Sequence, residues 1–244
     1  MQPPAFAVAL MRRARVLEAL LKARLEVDMP GLVAGIRARL TSRLQLQPIP
    51  VEPDLAERAG PLGWGRVQTW AWSTTRLRKV VLSHVSMRPM IEGFALVLSP
   101  VPGFAAPVFA ADLMALPTRV SVNADQYGTR HPRFQTGLRS LGESFVRLET
   151  SGGPAWAAEL ASGVGLHARL SPRMVDDGFA ALSAALGVYI DTLDLTEEPQ
   201  QPAEAPSDHR EFFQLFHEHG PRRGPLGRLF GAEWTERYSR LVFE

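Results

Sequence analysis

Cysteine is absent from this chain, and only Lys22 and Lys79 stand beside its arginines. Without cysteine there is no disulfide, no catalytic thiol, no thiolate zinc site and no iron–sulfur cluster ligated by the protein itself. The absence suits a reducing compartment. Nowhere do eighteen apolar residues run together, so no membrane-spanning helix is expected. Nor is a secretory signal expected: residues 1–10 are apolar, but the basic Arg12, Arg13 and Arg15 follow them instead of preceding them. Neither a GxGxxG nor a GxxxxGK loop occurs, which leaves nucleotide binding without support, and HExxH and GxSxG are also lacking. His217 and His219 would not face one another on a helix, so no metal site is expected from them or from His209. No basic-aromatic stripe suggests a nucleic-acid partner. The expectation is a cytoplasmic protein with no metal, membrane or nucleic-acid partner.

What is present is an ordinary globular balance, 45% hydrophobic and 21% charged over 244 residues, enough chain for a substantial core. The net charge of +2 conceals an asymmetry. Basic side chains dominate residues 1–43, whereas acids dominate 176–211, a distribution that can steer a charged partner.

Helical spacing is visible over 5–26 (Val8, Met11, Val16, Leu20) and again from Gly31 to about Leu44 (Leu32, Val33, Ile36, Leu40). Pro48, Pro50 and Pro53 enforce an extended passage. From Gly63 the texture turns to strands: 66–73, 80–85, 94–99, 108–116 and 119–124, separated by turn clusters and too closely spaced for intervening helices. That spacing predicts an antiparallel sheet. A helix is expected over 132–147, a short element at Trp156–Leu160 and a strand over Gly163–Leu170. Ser171-Pro172 reads as the N-cap and first residue of a further helix with Asp176 and Asp177 in its early turns. The acidic, proline-rich stretch 197–207 reads as an exposed loop, and the chain from His209 is helical except around Gly220-Pro221. The whole is expected to be one domain over 1–244, with helices in 1–45, a sheet in 63–125 and closing helices in 209–244.

Four collinear stretches point to a family. Pro107-Val108-Phe109-Ala110-Ala111-Asp112-Leu113 resembles the LPxFGxD strand of the ferredoxin-dependent bilin reductases, and it follows a strand ending in Pro100 as theirs does. Val120-Ser121 is similar to the start of their next strand, and Pro154-Ala155-Trp156 through Leu166–Pro172 to their PPW…LFxRP segment. The tail Phe230-Gly231-Ala232-Glu233-Trp234-Thr235-Glu236-Arg237-Tyr238 with Leu241–Glu244 resembles FGxxWxERY…VLFD. The resemblance implies a three-layer α/β/α sandwich around a central antiparallel sheet. It also implies a linear tetrapyrrole such as biliverdin held between the sheet and the C-terminal helices. Electrons would come one at a time from reduced ferredoxin, with no bound cofactor, in a protein expected to be monomeric.

By the same resemblance Asp112 is the expected proton donor, since a carboxyl against a flat apolar pigment is desolvated and stays a usable acid near neutral pH. Ser121 would contact a bilin propionate, Arg222 and Arg223 would pair with propionates as arginine can, and Trp156 and Phe243 would wall the pocket. Ala95 stands where phycocyanobilin-forming members carry a histidine, Ser83 where they carry a glutamate, and Gly220 where many carry an aspartate. His219, adjoining that last position, is the candidate to replace it, whereas His84 is one residue out of register and would face away. These losses favour a single two-electron reduction over phycocyanobilin synthesis. A non-catalytic tetrapyrrole binder and an enzyme like red chlorophyll catabolite reductase are the alternatives.

Overall fold

The computed structural model describes residues 27–60, 65–87, 90–128, 131–144, 148, 153, 155–196, 207–219 and 225–243. The helix expected over 5–26 and most of the acidic stretch 197–207 lie outside them. Helix α1 (Met29–Arg43) begins where the Asp28 carboxylate accepts the Gly31 N–H at 3.1 Å, and it buries Met29, Val33, Ile36 and Leu40 along one stripe. Pro48 lies in β1 (Gln47–Pro48) at the edge of the sheet, the place where a missing N–H costs least. Pro53 then opens the single turn α2 (Pro53–Ala56), followed by β2 (Glu57–Ala59).

The predicted strands form the centre of an eight-stranded sheet: β3 (Arg66–Ser73), β4 (Leu77–Met87), β5 (Ile91–Pro100), β6 (Val108–Leu116) and β7 (Arg119–Tyr127). With β8 (Leu166–Leu170) the order is β1-β3-β4-β5-β6-β7-β8, β2 pairing β3, and every pairing is antiparallel. The sheet thus reaches beyond 63–125 at both ends. One expectation fails locally. Ser171 does not cap a helix with its hydroxyl; Pro172–Met174 make a 3₁₀ turn instead, closed by the Met174 N–H on the Ser171 carbonyl at 3.0 Å. Backbone thereby supplies what the side chain was expected to supply, and the α-helix itself starts only at Val175.

Side chains of even and odd number point to opposite faces of each strand. One face places Leu82, Leu96, Phe109, Leu113 and Val122 against α1, α3 (Pro132–Ser144) and α4 (Val175–Asp194). Tyr189 of α4 is fully buried there and donates its hydroxyl to the Pro107 carbonyl at 2.8 Å, which fixes the entry to β6. The other face places Val67, Val81, Val97, Val108 and Tyr127 beneath α5 (Ser207–His219), α6 (Pro225–Phe230) and α7 (Ala232–Phe243). The architecture is the expected α/β/α sandwich.

The tail motif fastens this second layer. Trp234 Nε1 donates to the Asp54 carbonyl at 2.8 Å, and Arg237 donates to both Asp54 carboxyl oxygens at 3.0 Å and to Glu52. Trp234 also stacks on Tyr238 with centroids 5.1 Å apart. Lys79 Nζ reaches the Leu241 carbonyl at 3.0 Å. The residues that make the tail recognisable are those that tie α7 to α2 and the sheet.

Candidate active site

Antiparallel register lines up one row of side chains across six strands: Thr69, Ser83, Ala95, Asp112, Asn123 and His167. Ser83, Ala95 and Asp112, the positions at which the resemblance implies glutamate, histidine and aspartate, are therefore neighbours in a single row beneath α5–α7. The small side chains of Ser83 and Ala95 leave a gap beside Asp112. Ser83 donates to Thr69 Oγ1 at 3.3 Å and bonds to the Tyr238 hydroxyl, so the polar edge of that gap is satisfied internally. Burial pushes the Tyr238 phenol up to about 12, which keeps it neutral.

Asp112 lies where two hollows meet. Toward β4 and β5 an apolar hollow of about 360 Å³ is lined by Val85, Gly93, Ala95, Met114, Trp156 and His219 among others. Toward β7 and β8 a more polar one of about 480 Å³ is lined by Ser121, Asn123, Tyr127, Trp156, Arg169 and Phe216. Asp112 and Trp156 border both. The Asp112 carboxyl keeps some contact with the open space yet is enclosed by protein atoms, so it is poorly solvated. Its pKa rises from 3.8 to about 6 through that desolvation, held back by the Asn123 hydrogen bond and by the field of His167. Asn123 Nδ2 donates to both carboxyl oxygens, at 3.1 and 3.0 Å.

The candidate residues mostly converge. Trp156 sits on a 3₁₀ turn (Ala155–Ala157) above the sheet, and His219, the last residue of α5, stacks on it with centroids 6.1 Å apart and planes 14° apart. Phe212 and Phe216 extend this aromatic wall, Phe216 meeting Trp156 edge-on at 5.4 Å. Ser121 opens onto the polar hollow. Arg222, Arg223 and the Phe243 side chain lie outside the described residues. His84 faces the opposite side of the sheet, 3.5 Å from the buried Glu92, as its register predicted.

Three residues of the site were missed in the sequence. Arg169 is the register partner of Ser121 and lines the same hollow, a guanidinium beside a hydroxyl at its rim. Asn123 and His167 continue the row from Asp112: His167 Nδ1 lies 3.2 Å from Asn123 Oδ1, and its Nε2 lies 3.0 Å from Asp125 Oδ2. A signal existed. In β7 the residues Val120, Val122 and Ala124 face the core, while Ser121, Asn123 and Asp125 put three polar groups on a face that is also covered. Alternating polar residues in a strand roofed on both sides mark a lined cavity.

A mostly apolar cleft with one desolvated acid at its floor and an arginine in its lining is suited to an apolar molecule bearing carboxylates. The comparisons agree in kind. Residues 33–243 match the family model described as ferredoxin-dependent bilin reductase, and the chain belongs to that family of oxidoreductases. It is 28% identical over 192 residues to a phycoerythrobilin:ferredoxin oxidoreductase of Prochlorococcus marinus, covering 71% of this chain and 74% of the relative. It is likewise 28% identical over 215 residues to the enzyme of that name from Gloeobacter violaceus, covering 82% and 87%. Among solved structures, phytochromobilin synthase from tomato in complex with biliverdin superposes with a TM-score of 0.73 at 14% identity, covering 88% of this chain and 83% of that one. That likeness is one of fold.

Proposed function

We propose that this enzyme performs a two-electron reduction of a bilin lying in the joined hollows over Asp112, with Asp112 as the acid. Reduced ferredoxin supplies the two electrons one at a time, and each is matched by a proton added to the pigment, so that one double bond becomes a single bond carrying two hydrogens. Asp112 delivers a proton to the radical or anion that electron uptake creates and is recharged from water at the rim, where His219 stands. The apolar hollow excludes water from the flat conjugated system and keeps the carboxyl neutral once the pigment covers it. Ser121 and Arg169 receive a propionate at the polar end. The relatives named for phycoerythrobilin suggest a pigment on that side of bilin chemistry.

The single observation that carries this reading is that Asp112 is the sole carboxyl, among the described residues, that borders both hollows. With the family glutamate and histidine positions occupied by Ser83 and Ala95, one acid serves one reduction. The test is anaerobic. Biliverdin added to the protein is expected to give a red-shifted, structured absorption band that is lost on supplying reduced ferredoxin. Asp112→Asn is expected to keep the band and to slow its loss by about a hundredfold or more, the scale of general-acid catalysis. Reduction by Asp112→Asn at the wild-type rate removes Asp112 from this role; binding without any reduction by the wild type makes the protein a carrier.

A further inference from the structure

The chain Asp112–Asn123–His167–Asp125 contains more than a positioned acid. Asp125 is 1% exposed, and its carboxylate accepts the Gln126 N–H at 2.7 Å, the Ser162 hydroxyl and His167 Nε2 at 3.0 Å. The fit is close: a Cβ on Gly165 would stand 2.2 Å from the Asp125 carboxyl carbon, so only glycine lets the chain pass there. Two donors on Oδ1, the Gln126 N–H and the Ser162 hydroxyl, hold Asp125 as a carboxylate whose Oδ2 accepts, which makes His167 Nε2 a donor. The other ring nitrogen faces Asn123 Oδ1, and that oxygen is an acceptor whenever Nδ2 donates to an ionised Asp112. With Asp112 ionised, both nitrogens of the His167 ring therefore face acceptors, the arrangement of an imidazolium.

One other arrangement satisfies the same atoms. If Asp112 carries the proton, its hydroxyl donates to Asn123 Oδ1 after the carboxamide turns over, Nδ2 donates to His167 Nδ1, and His167 is neutral with Nε2–H still on Asp125. The oxygen and nitrogen of a carboxamide exchange places with almost no change in shape. The two states hold the same number of protons. In passing from one to the other, His167 Nδ1 loses a proton, an Asp112 oxygen gains one, and no other bond changes.

We propose that Asp112 and His167 hold one proton between them, with the Asn123 carboxamide as the hinge, so that an ionised Asp112 draws the first proton it delivers from His167. His167 touches no pigment in this scheme; it is a positioning residue that sets the charge of Asp112 through Asn123. The inference rests on Asp112 being the acid; the shared proton serves one of the two protonations, and the other proton enters from water at the rim. Other titratable or charged groups around Asp112 are Asp125 and Tyr127 on β7, Arg169 on β8, His219 on α5 and Tyr238 on α7. Among the described residues, His167 is the one joined to Asp112 by an unbroken line of hydrogen bonds and carrying the opposite charge.

The test uses the bilin-free protein, so its outcome is independent of whether a bilin is reduced. Carbon-13 NMR follows the Asp112 carboxyl, assigned with Asp112→Asn, and nitrogen-15 NMR follows the His167 ring. In the wild type above the Asp112 midpoint, both ring nitrogens of His167 are expected to be protonated. His167→Gln keeps a donor toward Asn123 but removes the charge, so the Asp112 midpoint is expected to rise by about one pH unit, a tenfold change in its protonation equilibrium. Asp125→Asn, which withdraws the anion holding the ring positive, moves it the same way. A wild-type His167 ring that is neutral beside an ionised Asp112 overturns the proposal even if neither variant folds. So does an Asp112 midpoint that stays put or falls in His167→Gln.

Discussion

Asp112→Asn should make the protein more stable, and only above a defined pH. In the unfolded chain the carboxyl ionises near 3.8, whereas in the fold burial delays ionisation to about 6. Between those values the folded state holds a proton that the unfolded state has lost. Stability contributed by the neutral acid is fully present below 3.8 and drains away as pH rises toward 6, after which the fold carries a poorly solvated carboxylate. The difference, at about 1.4 kcal/mol for each pH unit, amounts to about 3 kcal/mol at most. Asparagine has the same shape and no charge to desolvate, although it loses one of the two charge-assisted contacts with Asn123, so a gain of about 1–3 kcal/mol is expected at pH 8. At pH 4 the two proteins should be nearly equal. Urea denaturation at intervals from pH 4 to 8 measures the difference directly, other titrating groups cancelling between the two proteins. An Asp112→Asn variant no more stable than wild type at pH 8, or equally stabilised at pH 4, would refute the desolvated acid on which the site depends. A residue that costs stability where it stands is the pattern expected of chemistry retained against packing.

Arg169→Gln should weaken biliverdin binding by about tenfold, the worth of one charge-assisted hydrogen bond. In a spectroscopic titration the loss should vanish when the propionates are esterified, and an equal loss for acid and ester would remove Arg169 from that contact. Trp234→Phe removes the indole donor to the Asp54 carbonyl while keeping most of the stack on Tyr238. It should cost about 1–2 kcal/mol in denaturant without moving the pH dependence of the site, and an unchanged midpoint of unfolding would contradict the fastening role given to the tail.

The fold was legible because its signals were local. Proline clusters, β-branched runs and short connections marked the five central strands, and the stripe Val33, Ile36, Leu40 marked α1. The site was legible only in part, and the reason is register. Asp112, Ala95 and Ser83 carried a family pattern in the sequence, but that they form one row is a property of strand pairing, which no single strand encodes. Asn123 and His167 are 44 residues apart and meet only because β8 returns antiparallel to β7 across a long excursion. The roles of the tail residues were hidden for a similar reason. Trp234 and Arg237 read only as parts of a family motif, and their partners Asp54 and Glu52 lie some 180 residues earlier, in and just before a single helical turn that has no helical period to reveal it. Ser171 misled because a cap read from sequence assumes the α-helix begins at once, and Pro172 begins a tighter turn.

The central claim is that a bilin lies flat across the joined hollows with its reacting centre at Asp112. A structure of the protein crystallised with biliverdin tests it most directly. The pigment is expected between β3–β8 and α5–α7, an Asp112 oxygen within hydrogen-bonding distance of its pyrrole nitrogens or carbonyl, and a propionate against Ser121 and Arg169. A pigment bound elsewhere, or one seated in the cleft with Asp112 turned out of contact, contradicts the account.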